Sequence, residues 1–172
     1  MNLKQFGAPN FNLRELVPPK LYEERGRSAI WHLNPVLLKV VQFTRDFLGK
    51  HYKQEISVII NDWKWGGEFT ESGFRYPDTD TGSRLSFHKG GLCSAADLKC
   101  RYKSTKEWIP ADDIRNIILN NEKKFLKKGL TAIEAKEFAP TWTHIDCRLT
   151  GLDHILIIKP GYQQKERDES VV

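Results

Sequence analysis

Two short stretches, far apart in the chain, constrain it most: residues 83–99, reading SRLSFHKGGLCSAADLK, and residues 141–148, reading TWTHIDCR. The first holds His88 and Asp97; the second holds His144, followed two residues later by Asp146. Two histidines and an aspartate form the ligand set of a catalytic zinc, which takes three protein ligands and keeps a fourth position for water. A fold that uses this set must bring both stretches to one ion. Gly90 and Gly91 allow a tight turn between His88 and Asp97, and the small side chains of Ala95 and Ala96 let a strand run close beneath a metal. A loop followed by a strand is the expected setting. In the second stretch the strand period of two puts Trp142, His144, Asp146 and Arg148 on one face and Thr143, Ile145 and Cys147 on the other. The first face carries chemistry and the second faces a core.

Taken in order, Ser86-x-His88-x-x-Gly91, Ala95-x-Asp97 and Trp142-x-His144-x-Asp146 resemble the zinc peptidases that include D-Ala-D-Ala carboxypeptidases and phage L-alanyl-D-glutamate endolysins, whose fold is shared with the Hedgehog signalling domain. The resemblance extends to Phe11-x-Leu13-x-Glu15-Leu16-Val17, Asn34-Pro35, Arg45-Asp46-Phe47-Leu48-Gly49 and Ser72-Gly73-Phe74-Arg75. It implies an α+β domain with a small antiparallel sheet, helices on one side and a zinc cleft on the other. It also implies Zn2+ held by His88, Asp97 and His144, and hydrolysis of an amide in the peptidoglycan stem peptide, as a carboxypeptidase or an endopeptidase. Arg75 and Ser86 are then substrate-binding residues, Arg75 through a bidentate grip on a substrate carboxylate.

Two departures from that family stand out. Eight residues separate His88 from Asp97, two more than the family carries, so the segment 91–95 is expected to bulge. The position three before the second histidine, where many members have Glu or Asp, is Thr141, and its hydroxyl cannot take a proton from water at neutral pH. Asp146, one strand repeat from His144, is the candidate catalytic residue, as base or as orienter of the ligand imidazole; an ion pair with Arg148 is the alternative. Glu137 reaches the site only if Pro140 turns the chain back. A zinc-stabilised structural or wall-binding virion component that has lost hydrolysis is the alternative function, favoured by Thr141.

With 172 residues, 40% hydrophobic and 28% charged, the chain has material for one core. The expected organisation is an N-terminal arm (1–12), a peptidase-like domain (13–160) and a polar tail (161–172). Lys and Arg exceed Asp and Glu by 27 to 22, but they are scattered, which disfavours a nucleic-acid partner and suits a solvated surface. No apolar run approaches the ~20 residues of a membrane span, and the start lacks the apolar core of a signal peptide. The expected setting is the cytoplasm of an infected bacterial host or a virion, with virion proteins as further partners. Three cysteines without a CxxC argue against a disulfide framework; Cys93 reads as a fourth ligand or as a small buried thiol.

Among the elements, Asn34 and Pro35 open a core helix that Gly49 ends, and 56–60 is a buried strand. The stretch 61–83 is a long loop whose Trp63, Trp65, Phe69, Phe74 and Tyr76 line a groove or cover the core. Pro110 opens a helix that runs to a basic turn at Gly129, and strands follow at 130–135, 142–147 and 154–158. His32, His51 and His154 read as ordinary histidines.

Overall fold

The computed structural model describes residues 1–83, 86–89 and 91–160; Gly90, expected in a turn, and the expected tail 161–172 lie outside them. The chain opens with a hairpin in which β1 (Asn2–Leu3) pairs antiparallel with β2 (Ala8–Asn12). Gly7 makes the reversal at φ 83°, a left-handed conformation that side chains disfavour. The expected N-terminal arm is thereby corrected, because Leu3, Ala8 and Phe11 are buried in the main core. The backbone N–H of Asn10 also donates to Oε1 of Gln42 at 3.0 Å. These strands are too short to announce themselves by alternation.

Helix α1 (Pro19–Arg25) follows, and then α2 (Pro35–Tyr52). The Asn34 side chain caps α2 by accepting from Val36 N–H at 2.9 Å. Leu37, Leu38, Val40, Val41 and Leu48 form its buried stripe. It does not end at Gly49 as expected; it continues to Tyr52 and stops where Lys53 turns left-handed at φ 54°.

The remaining elements are β3 (Ile56–Ile59), β4 (Ala95–Tyr102), β5 (Trp108–Ile109), α3 (Ala111–Asn120), α4 (Glu122–Leu126), β6 (Ala132–Glu134), β7 (Thr143–Asp146) and β8 (Leu156–Ile158). The helix expected from Pro110 to Gly129 is broken into α3 and α4 at Asn121, whose side-chain amide donates back to the Ile117 carbonyl at 2.9 Å. The strands form one sheet in the order β3-β4-β7-β6-β8, with β5 on β4 beyond the end of β7. The expectation of an antiparallel sheet is corrected to a mixed one, since β6 and β8 run parallel. The chain leaving β7 turns back and steps past β6, so β8 opposes β7 and runs alongside β6.

The result is a single small α+β domain. Ala96, Leu98 and Cys100 of β4, Ile133 of β6 and Ile145 of β7 join the buried stripes of α2 and α3 in one apolar cluster. By the period of two, Asp97 and His144 project from the opposite face. Among the described residues no helix is long and apolar enough to cross a membrane.

Candidate metal centre

Strands β4 and β7 pair with Ala96 opposite Ile145 and Asp97 opposite His144. Core packing thus sets the register, because a slip of one residue would turn both ligands into the core. His88 arrives from a loop that precedes β4. That loop is closed by Ser94 N–H donating to Phe87 C=O at 2.9 Å, and is tied down by Cys93 N–H to His32 C=O at 2.8 Å and Arg75 N–H to His88 C=O at 2.9 Å. The extra residues between His88 and Asp97 therefore sit in a closed loop, which replaces the expected bulge.

Three donor atoms converge. His88 Nε2 lies 3.2 Å from His144 Nδ1 and 3.4 Å from Asp97 Oδ1, and His144 Nδ1 lies 2.8 Å from Asp97 Oδ1. Ligands ~2.0–2.1 Å from a tetrahedral zinc stand ~3.3 Å from one another, so the triangle fits the ion.

Two of the ligands are fixed by hydrogen-bonded outer partners and the third faces a carboxylate at ion-pair distance, an arrangement typical of metal-bound imidazoles and carboxylates. His88 Nδ1 donates to the Gly73 carbonyl at 2.7 Å, which leaves a lone pair on Nε2. Gly73 can present that carbonyl because it passes against the Leu16 backbone, where a Cβ would stand 2.2 Å from the Leu16 oxygen. Arg75 donates through Nη2 to Asp97 Oδ2 at 2.5 Å and through Nε to the Glu71 carbonyl at 2.5 Å. His144 Nε2, buried with no hydrogen-bond partner, lies 3.6 Å from Asp146 Oδ2. Asp146 is gripped in turn by Arg148, through its backbone N–H at 2.8 Å and through Nε at 2.7 Å.

Burial pushes the His88 imidazole below its usual pKa, an effect that the nearby Asp97 only partly offsets. Burial would lower His144 too, but Asp146 and Asp97 on its two sides raise it to about 10. Burial alone would raise Asp97; the two histidines outweigh it and hold the carboxyl well below the usual range. The cluster thus combines a carboxylate, a neutral imidazole and an imidazolium, and a divalent cation would take the place of the imidazolium proton.

The expected site residues fall into three groups. His88, Asp97 and His144 come together as the tripod. Arg75, expected on a substrate carboxylate, is 9% exposed and donates through Nη2 to Asp97 and through Nε to the Glu71 carbonyl. Asp146 is fully buried with both oxygens engaged by Arg148, which suits the orienting role and the ion pair rather than that of a base. Ser86 and Thr141 lie aside: Ser86 Oγ accepts from His88 N–H at 3.3 Å within its own turn. Thr141 borders a cavity of about 400 Å³ with Lys99 and Trp108. Glu137 is exposed and outside the tripod. Cys93 is a buried thiol that donates to the Ala95 carbonyl, and burial raises its pKa to about 12. In the aromatic loop Phe74 is buried and Trp63 Nε1 donates to Val17 C=O at 2.9 Å, while Trp65 is 62% exposed.

One acid escaped the sequence reading. Glu134 follows Ile133, which pairs with Ile145, so it stands opposite His144 on the site face of β6. Its Oε2 lies 4.0 Å from His144 Nδ1, and its side chain is 27% exposed against 12% for Asp97. The alternation Ala132-Ile133-Glu134 was visible, but nothing local tells which strand lies beside β7. Compared with protein-family models, curated proteins and solved structures, the chain matches none of them.

Proposed function

We propose that the protein is a zinc-dependent peptidase acting on an amide bond of peptidoglycan stem peptides, built on the fold of the D-Ala-D-Ala carboxypeptidases and the Hedgehog domain. The observation that carries this reading is the convergence of His88 Nε2, Asp97 Oδ1 and His144 Nδ1 at zinc-ligand spacing, with His88 and Asp97 each hydrogen-bonded to an outer partner. These three residues would hold the ion. When bound, zinc polarises a scissile carbonyl and makes water acidic enough to lose a proton near neutral pH.

The chain's own residues do the rest. Arg75 holds Asp97, Asp146 faces His144 at ion-pair distance, and Arg148 holds Asp146. Glu134, the most open acid beside the tripod, takes the proton of the attacking water as the carbon–oxygen bond forms. It then returns that proton to the amine nitrogen as the carbon–nitrogen bond breaks. This supplies the acid that Thr141 cannot. A phage lysis or virion protein, working from the host cytoplasm or from the particle, is the setting in which such an activity has use.

A second reading, a zinc-stabilised structural or wall-binding virion component, is favoured by the near-complete burial of His88 and His144 side chains, 1% and 5% exposed. Metal analysis coupled to digestion of purified peptidoglycan, with mass determination of the released fragments, separates the two. The peptidase should carry one zinc per chain and release fragments of one bond type. Absence of zinc from protein purified without chelator refutes both readings; zinc without release from any wall type leaves the second.

A further inference from the structure

Along β4 the period of two carries the site face from Asp97 on to Lys99 and Arg101, so the tripod and two cations stand in one row. Among the described residues neither cation has a carboxylate within ion-pair distance. Their cross-strand neighbours are Ile59 and Ser57 on β3 and Trp108 on β5, none of them acidic. The charges rest over rings instead, Lys99 Nζ at 4.7 Å from the centre of Phe69 and Arg101 Cζ at 5.4 Å from that of Trp108. Arg101 Nε is buried without a hydrogen-bond partner, and such an unmet donor costs ~1–3 kcal/mol. Trp108 is 48% exposed at the rim of the cavity that Lys99 and Thr141 also border.

Half-buried cations backed by aromatic rings, Lys99 beside a cavity and Arg101 with an unmet guanidinium donor, have the chemistry of a carboxylate subsite. We propose that this row is a substrate track that binds the free α-carboxylate of the stem D-Glu residue, about two to four residues from the bond cut at the tripod. Lys99 and Arg101 lie ~7 and ~13 Å from Asp97 along the strand, and an extended peptide advances ~3.3–3.6 Å per residue. The assignment of the cut to the tripod rests on the peptidase reading above; the carboxylate preference of the row does not.

The test is equilibrium binding of two labelled stem pentapeptides, L-Ala-γ-D-Glu-L-Lys-D-Ala-D-Ala and the same peptide amidated at the D-Glu α-carboxyl. Both are titrated against the metal-free full chain at two salt concentrations, and their cleavage by the zinc-loaded chain is followed separately. The free acid should bind roughly tenfold tighter, with the preference shrinking in salt. Lys99→Gln and Arg101→Gln should each reduce the preference and together abolish it, at unchanged zinc content, while Lys99→Arg keeps it. Equal affinity for the two peptides, no measurable binding of either, or a preference that survives both substitutions overturns the subsite. Should the double variant fail to fold, the single variants decide. Preference without cleavage leaves the subsite standing and removes the peptidase reading; cleavage without preference does the reverse.

Discussion

Arg75→Ala is the substitution whose outcome the structure predicts most directly. The Arg75–Asp97 pair joins side chains that are 10% and 12% exposed, so little solvent screens it. Removing one member of a buried pair costs ~3–5 kcal/mol; His144 still supports Asp97 from the other oxygen, at 2.8 Å, which argues for the lower end. At ~2–4 °C per kcal/mol for a domain of this size, the metal-free variant should melt roughly 6–12 °C below the parent. Zinc adds a second partner for the orphaned carboxylate, so saturating metal should recover part of the loss. Zinc affinity itself should fall about 10–100-fold, the usual effect of deleting an outer-shell partner. Arg75→Lys should not rescue it, because one ammonium cannot span both Asp97 Oδ2 and the Glu71 carbonyl as the planar fork does. Calorimetric melts with and without zinc, together with competition against a chelator, measure both quantities. A variant with the parent's melting temperature and zinc affinity but weak substrate binding would refute the orienting role and return Arg75 to the substrate.

Glu134→Gln should keep zinc and the fold yet lose ~10²–10⁴ in kcat, whereas Asp146→Asn should weaken zinc binding and cleave normally once saturated; peptidoglycan digestion at equal zinc occupancy compares them, and undiminished cleavage by Glu134→Gln removes its role. Because burial is outweighed and the His144 pKa is raised to about 10, its imidazole is protonated at pH 7 and must lose that proton to bind metal. Zinc affinity should therefore rise with pH, by up to tenfold per unit below about 10, and calorimetry in buffers of different ionisation enthalpy should find about one proton released; none released contradicts the assignment. Phe125→Ala empties a fully buried ring from the cluster with Phe43 and Phe47 and should cost ~3–5 kcal/mol in chemical denaturation, with zinc affinity unchanged in the folded protein.

Local signals in the sequence marked helix starts and strand faces but misjudged helix ends, since α2 runs past Gly49 to Tyr52 and Asn121 breaks the helix expected to reach Gly129. Asn34 and Pro35 mark the start of α2 because cap and first turn are adjacent in the chain. The alternation from Trp142 to Arg148 assigns His144 to one face and Ile145 to the other without reference to any other strand. What stayed hidden depends on pairing across distance. Glu134 acquires meaning only because β6 lies next to β7, and Arg75 is claimed by Asp97, 22 residues away. The parallel β6–β8 pair and the packing of the opening hairpin onto α2 are likewise matters of who lies beside whom.

The three cysteines are free thiols, so no covalent link closes any part of this chain. The tripod offers an equivalent. An ion shared by Asp97 and His144 would tie positions 47 residues apart, and a cross-link over a loop of that length removes ~4 kcal/mol of chain entropy from the unfolded state in the loop-closure model. His88 adds a third anchor from a loop itself fastened to His32 and Arg75. Metal occupancy would then act as a reversible staple, one that a thiol-reducing environment leaves intact and a chelator opens, so that resistance to unfolding and to proteolysis rises and falls with free zinc.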